Sequence, residues 1–133
     1  IIHTLTAKGF IPIIAPVGVG ANGETYNINA DVVASRIAAS LGAERLILLT
    51  DVDGVLDADN ALVSSIDDQR IRQMIRDEQI KGGMIPKVEC ALSALRNGVK
   101  KTHIINGRIS HAVLLELFTD SGIGTQVFVN GPA

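Results

Sequence analysis

A glycine-flanked lysine stands out as the part of this sequence best suited to handling a phosphate group. The segment KGGMIPK covers residues 81–87, and Lys87 falls in the first turn of a predicted helix. Paired glycines permit close backbone approach, and the helix amides and the lysine ammonium attract an anion together. An ordinary surface lysine is the simpler alternative. The pattern therefore indicates, without requiring, a phosphate-binding position.

A second cluster of polar side chains, NINAD at residues 27–31, lies where an extended segment passes into a helix. The amides of Asn27 and Asn29 could hold a carboxylate or acyl group of a ligand, and Asp31 could orient a nearby cation. Helix capping alone would explain Asn29. Both interpretations remain open from the residues themselves.

Several other patterns suggest a binding site but lack a feature that the site would require. GVGANG at 18–23 fits G-x-G-x-x-G, but an extended segment follows it instead of a helix, and Asn22-Gly23 favours a hairpin turn. The aspartates at 51–59 do not form a calcium loop, because leucine occupies the position where the loop requires glycine and no glutamate closes it, and the histidines lack metal-ligand spacing. No P-loop pattern is present, so any ATP site must be of another kind.

Alternating strands and helices must position these residues. Apolar runs predict buried strands, and apolar residues three and four apart predict helices. The polar helix among them carries charges on most faces and is expected to be solvated. The result is an α/β fold, a three-layer αβα sandwich with a mainly parallel open sheet, whose ligands lie beyond the carboxyl ends of the strands, at Gly18, Asp51 and Asn106. The predicted strands are 10–15, 45–50, 102–106 and 125–129, and the predicted helices are 30–41, 67–76 (the polar one), 84–96 and 111–118.

Length and composition are those of one globular domain, residues 1–133. Aromatic residues make up 3% and the formal net charge is -2, which argues against a nucleic-acid surface. No apolar run is long enough for a membrane span, and the single cysteine, Cys90, favours a reducing, cytoplasmic location. Because the sequence enters at Ile1 as if within a helix that Gly9 ends, we expect a preceding portion to be absent.

Four motifs, in this order and spacing, resemble those of acetylglutamate kinases, within the amino acid kinase superfamily. They are NINAD (27–31), TDVDGVL (50–56), GGMIPK (82–87) and HAVLLELFTDSGIGT (111–125). The resemblance covers essentially the whole chain and corresponds to the C-terminal, nucleotide-binding portion of that enzyme. It implies the amino acid kinase fold and transfer of the γ-phosphoryl group of ATP to the γ-carboxylate of N-acetyl-L-glutamate, in arginine biosynthesis.

The resemblance also implies roles for individual residues. Lys87 would be a catalytic lysine and Asp31 would organise the catalytic lysines, while Asn27 and Asn29 would contact the substrate. Magnesium would be held mainly through the ATP phosphates, and the full-length enzyme would be a homo-oligomer. The implied nucleotide-binding residues are Thr50, Asp51, Val52, Asp53, Gly54, Val55, Leu56, Gln79, Ile80, Lys81 and Met84.

The last motif is similar to that of arginine-sensitive members, in which residues matching His103, Glu116 and Gly122 line the site of the feedback inhibitor L-arginine. A solvated helix residue is the simpler interpretation of Glu116. The family's second catalytic lysine and its phosphate-contacting glycine loop lie upstream, so this chain alone is expected to be inactive. Two alternatives stay open: a non-catalytic fragment that binds arginine or nucleotide, and a related carboxylate or carbamate kinase.

Overall fold

The computed structural model describes residues 1–120 and 122–130, which form helices on both faces of a mixed sheet. Six strands and five helices occur in these ranges. In chain order they are α1 (Ile2–Ala7), β1 (Val17–Val19), β2 (Thr25–Asn27), α2 (Ala30–Ser40), β3 (Arg45–Thr50), β4 (Ser65–Asp67), α3 (Asp68–Arg76), α4 (Met84–Arg96), β5 (Lys101–Asn106), α5 (Ala112–Phe118) and β6 (Thr125–Phe128).

The main sheet has four strands in the order β3-β5-β6-β4. β3 and β5 run parallel, with Arg45 opposite Lys101 and Thr50 opposite Asn106, so both strands end at the same edge. β6 is antiparallel to β5 and parallel to β4. The expected α/β fold with a mainly parallel sheet is confirmed.

The two faces of β5 meet different helices. Ile104 belongs to the main apolar core, which it shares with Leu48 of β3 and Val88 of α4. Because side chains alternate along a strand, the neighbouring His103 points the other way, and it contacts Glu116 of α5. Helices therefore cover both faces, giving the three layers that the sequence predicts.

The strand predicted at residues 10–15 is not formed. The described structure has no ladder there, and Phe10, Ile11 and Ile13 are exposed, Ile13 to 95%. Pro12 has no N–H to donate to a ladder, which confines proline to edge strands. In the described structure β3 therefore pairs with β5 and not with this segment.

The structure also corrects the predicted solvated helix. α3 buries Ile71 and Met74 against the core, so only part of its surface is in water. The Asp67 carboxylate caps it by accepting a hydrogen bond from the Arg70 N–H at 2.7 Å, which lowers the pKa of Asp67. β4, just before this helix, was not predicted, because its three residues are too few to show a period.

A glycine-containing turn joins β1 and β2 into an antiparallel hairpin. Gly23 takes a φ of 86°, a conformation that glycine adopts without penalty. The predicted hairpin turn is confirmed, and no helix follows the G-x-G-x-x-G pattern at this point. None of the helices in the described ranges combines the length and the apolar character that crossing a bilayer requires.

Candidate functional site

A lysine–aspartate ion pair lies at the carboxyl edge of the sheet. Lys87 Nζ is 2.8 and 3.0 Å from the two carboxylate oxygens of Asp31, and it also donates to the Leu49 carbonyl oxygen at 3.0 Å. The Lys87 side chain is only 12% exposed. Three acceptors match the three donors of an ammonium group, so the charged end has one defined position.

Two helix N-termini bring this pair together. Asn29 caps α2 by accepting hydrogen bonds from the N–H groups of Asp31 and Val32, which places Asp31 in the first turn. α4 begins after Gly82, whose φ is 56°, and Pro86 is tolerated in a first turn because its missing N–H has no partner there. Since α2 packs against α4, the two first turns meet at the end of β3.

The ion pair opens into a cavity of about 520 Å³. A volume of this size falls in the range of small-ligand sites. Two carboxylates and two ammonium groups face it, so its charged side chains sum to zero. Its lining residues are Asp31, Leu49, Thr50, Asp51, Val52, Lys81, Gly83, Met84 and Lys87.

A smaller cavity of about 130 Å³ continues from the first, since Val52, Lys81 and Met84 line both. We call residues 51–56, which follow β3, the strand-end loop. This loop forms one wall and the segment before α4 forms the other. The lining residues are Val52, Gly54, Val55, Leu56, Gln79, Ile80, Lys81 and Met84.

Asp53 lines neither cavity. Its carboxylate accepts a hydrogen bond from the Asn106 side-chain amide at 2.8 Å, behind the strand-end loop. Arg108, which the motifs did not single out, lies 3.4 Å from the Asp51 carboxylate, and both side chains are largely exposed. Because β3 and β5 are parallel, Asn106 at the end of β5 lies at the same edge of the sheet as the end of β3, as the sequence analysis predicts for the carboxyl ends of the strands.

The two predicted substrate-binding residues are not part of the cavity walls. Asn27 is exposed at the end of β2, and Asn29 makes the two capping hydrogen bonds of α2. The simpler interpretation of Asn29 as a helix cap is therefore present in the structure. Neither residue lines the cavity beside Lys87.

The three residues of the predicted regulatory site form a contact cluster on the opposite edge and face. His103 Nδ1 lies 2.6 Å from one carboxylate oxygen of Glu116, and both side chains are buried. The other oxygen accepts from the N–H groups of Ile123 and Gly124, at 2.7 and 3.2 Å. Gly122 has a φ of 61°, and a Cβ there would lie 3.0 Å from that same oxygen. Glu116 is thus buried, which corrects the solvated interpretation.

A cavity of about 370 Å³ borders this cluster. His103 Nε2 is buried and has no hydrogen-bond partner among the described residues, so it is a free polar atom beside the cavity. Basic and acidic side chains both face it. Its lining residues are Arg45, Ser64, Lys101, His103, Glu116, Leu117, Thr119, Asp120, Gly122, Gly124 and Gln126.

Comparison with known proteins identifies the family. The model of the amino acid kinase family matches residues 1–106, most of the chain and all of the residues that line the two strand-end cavities. The chain belongs to the amino acid kinase family. The cluster around Glu116 lies beyond the matched residues, apart from His103.

Curated relatives narrow the resemblance to acetylglutamate kinases. The acetylglutamate kinase of Oleidesulfovibrio alaskensis is 61% identical over 127 residues, covering 96% of this chain and 43% of that protein. The enzyme of Trichlorobacter lovleyi is also 61% identical, over 96% of this chain and 44% of its own length. The resemblance predicted from the motifs is confirmed, and the chain spans less than half of the relatives it matches.

Solved structures support the same fold. N-acetylglutamate synthase from Neisseria gonorrhoeae, complexed with coenzyme A and L-arginine, superposes with a TM-score of 0.85 at 31% identity, over 94% of this chain and 29% of that one. Carbamate kinase from Giardia lamblia bound to AMP-PNP gives 0.62 at 21% identity, over 84% of this chain and 36% of that one. The similarity to carbamate kinase therefore shows a shared fold and nothing more.

Proposed function

We propose that this chain is the nucleotide-binding portion of an acetylglutamate kinase that acts in arginine biosynthesis. The observation that carries the proposal is the Lys87 ammonium, fixed by Asp31 and the Leu49 carbonyl at the mouth of the strand-end cavities. High identity to acetylglutamate kinases along nearly the whole chain supports the choice of substrate.

In the proposed reaction, a γ-carboxylate oxygen of N-acetyl-L-glutamate attacks the γ-phosphorus of ATP in line. The new carboxyl–phosphorus bond forms as the bond to the bridging oxygen breaks, and ADP leaves with that electron pair. No proton moves, because the attacking carboxylate is already ionised. The protein's contribution is positioning and charge stabilisation, as in phosphoryl transfer generally.

Lys87 would neutralise charge that develops on the transferred phosphoryl group. All three of its donors have partners in the structure, so it would turn at least one toward the phosphate when ATP binds. Asp31 would then act as a positioning residue that holds the ammonium at the strand end without accepting a proton. A fixed donor needs little reorganisation at the moment of reaction, which is how such groups accelerate transfer.

The strand-end loop and the segment before α4 would bind the nucleotide. Thr50 and Asp51 line the larger cavity, while Val55, Leu56 and Gln79 line the smaller one, where a base or ribose would fit. Asp53 would shape the loop from behind through Asn106. Magnesium would come with ATP, because Mg²⁺ is commonly held by substrate phosphates with few protein ligands.

Asn27 and Asn29 would contact N-acetyl-L-glutamate, and this assignment rests on the NINAD motif. Asn27 ends the second strand of the hairpin and Asn29 caps α2, so both lie shortly before Asp31 in the sequence. A substrate held there would have its carboxylate near Lys87. Homo-oligomer formation and a cytoplasmic location complete the proposal, and the unpaired, buried Cys90 is compatible with a reducing compartment.

We further propose that L-arginine binds the cavity beside Glu116 as a feedback inhibitor. Arg45 and Lys101 could hold its carboxylate, and Asp120 and Glu116 could face its guanidinium and amino groups, because both signs of charge line this cavity. The structure of the similar N-acetylglutamate synthase from Neisseria gonorrhoeae was solved with L-arginine, which supports an arginine site in this fold.

The direct test is activity in a graft enzyme, in which this chain replaces the matching segment of the Oleidesulfovibrio alaskensis acetylglutamate kinase. We expect ADP release that depends on both MgATP and N-acetyl-L-glutamate, and much less turnover with glutamate, aspartate or carbamate. A folded graft enzyme that phosphorylates carbamate or aspartate instead would overturn the substrate assignment. Calorimetry on the chain that finds arginine binding without any MgATP binding would favour a regulatory fragment.

A further inference from the structure

A buried threonine outside the cavities touches the strand-end loop. Thr125, the first residue of β6, has no exposed surface, and its Oγ1 accepts a hydrogen bond from the Val55 N–H at 2.8 Å. The two residues are 70 positions apart in the sequence. Val55 is itself almost completely buried, so its N–H is shielded from water and depends on this one acceptor.

The neighbouring glycine shows how closely the loop lies against β6. Gly54 has a φ of 150°, and a Cβ at that position would be 2.6 Å from Thr125 Oγ1 and 3.2 Å from its backbone nitrogen. Only a glycine leaves room for so close an approach. The loop is therefore held at Gly54 by shape and at Val55 by a hydrogen bond, both directed at Thr125.

We propose that Thr125 is a positioning residue for nucleotide binding, acting through the backbone of the strand-end loop. The inference rests on the proposed function, since it assumes that the smaller cavity receives part of ATP. Gly54 and Val55 both line that cavity. Without the hydroxyl, the Val55 N–H loses its partner, and a shift of the loop to find another would move one wall of the cavity from its position in this structure.

The chain offers a matched control for this idea. Thr102 on β5 is equally buried, but its hydroxyl makes only a long 3.5 Å contact with the Val127 carbonyl and, among the described residues, no hydrogen bond to the strand-end loop. Exchanging either threonine for valine removes one hydroxyl from the same sheet at nearly constant volume. Any general weakening of the sheet should therefore appear in both variants.

The experiment compares Thr125→Val and Thr102→Val in the graft enzyme. We expect Thr125→Val to raise the KM for MgATP about tenfold, the effect of leaving one buried donor unpaired. The KM for N-acetyl-L-glutamate should change less than about twofold, within the scatter for a site with no lost contact. Thr125→Ser should restore the parent value because it keeps the hydroxyl. Thr102→Val should leave both KM values unchanged, whatever it does to the melting temperature.

Each outcome decides something. Equal KM values for MgATP in Thr125→Val and the parent would overturn the inference, as would an equal rise in Thr102→Val. Should Thr125→Val not fold, Thr125→Ala compared with Thr125→Ser makes the same test, and equal KM values would again refute it. A parent graft enzyme that folds but has no kinase activity would count against the proposed function instead, and nucleotide affinity measured on the same variants would still test Thr125.

Discussion

Replacing Lys87 by alanine in the graft enzyme removes the ammonium that we place beside the transferred phosphoryl group. Lys81, the other ammonium group lining the cavity, has no hydrogen bond to Asp31 in the described structure, so it is not held at the position of Lys87. The Asp31 carboxylate would then face the cavity unpaired, adding repulsion toward an incoming phosphate. Both effects lower turnover in the same direction.

The expected loss is on the order of 100-fold or more in kcat. Removing one preorganised partner of transition-state charge typically costs about 10² to 10³ in turnover. The geometry favours such a value, because Asp31 and the Leu49 carbonyl hold the ammonium at the strand end at 2.8 to 3.0 Å, and only one donor has to turn toward the bound phosphate. Turnover is measured by coupled ADP release at saturating MgATP and N-acetyl-L-glutamate, so that a change in binding does not mask a change in kcat.

A double-mutant cycle separates the role of Asp31 from that of Lys87. If Asp31 acts only by positioning Lys87, Asp31→Asn should slow the parent enzyme but have little effect once Lys87 is alanine. Lys100→Ala is the matched control, since Lys100 pairs with Glu44 at 2.9 Å but both side chains are largely exposed. An exposed pair of this kind contributes little, so its removal should leave turnover unchanged.

Two results would refute this reasoning. Near-normal turnover of Lys87→Ala in a folded graft enzyme would remove Lys87 from the mechanism. Multiplicative losses from Lys87→Ala and Asp31→Asn would mean that Asp31 contributes independently, for example by touching substrate, and it would then no longer be a positioning residue.

Three further predictions concern other parts of the chain. Asn29→Asp should keep the melting temperature, because aspartate caps helices as well as asparagine does, but it should raise the KM for N-acetyl-L-glutamate by placing a negative charge beside the substrate; an unchanged KM would leave Asn29 a cap only. Gly122→Ala should weaken inhibition by L-arginine about tenfold without changing the KM for MgATP. A side chain at this position would be strained, because φ is 61° and a Cβ would lie 3.0 Å from a carboxylate oxygen of Glu116. Unchanged inhibition would argue against that site. Burial raises the pKa of the Cys90 thiol, so iodoacetamide should label it more slowly than a free thiol at pH 8. The labelling rate should increase as the pH rises through that higher pKa. Equal labelling rates in native and denatured protein, measured by mass spectrometry, would contradict this.

The elements that carry Lys87 and Asp31 were predictable from the residues, whereas the pairing of the two side chains was implied only by the family resemblance. A cap residue fixed the start of α2, a glycine pair fixed the start of α4, and the apolar run of β3 placed its carboxyl end between them. Each of these signals is local, and their combination in three dimensions follows from packing helices on a parallel sheet. The family motifs supplied the roles, which the residues alone did not determine.

Residues 10–15 show where local signals fail. An apolar run reports that a segment prefers to leave water, but it cannot report which backbone will pair with it. In the described structure this run has no strand partner and leaves Phe10, Ile11 and Ile13 exposed. The contact between Thr125 and Val55 was equally hidden, because a hydrogen bond across 70 residues depends on tertiary packing and has no sequence period.

The charge balance at the strand-end cavities bears on how strongly they could hold the proposed nucleotide. Asp31 and Asp51 offset Lys81 and Lys87 among the lining side chains, so the larger cavity has no net positive charge with which to hold a polyphosphate. The amides at the start of α4 add only a partial positive charge. If the larger cavity receives the ATP phosphates as proposed, most of the attraction for them would have to come from Mg²⁺ and from groups other than these lining side chains. The known relatives are more than twice as long as the matched segment, and their remaining length is where such groups would lie. The chain by itself should therefore bind the nucleoside part of ATP and have similar affinities for ATP and ADP. The graft enzyme should have different affinities for the two.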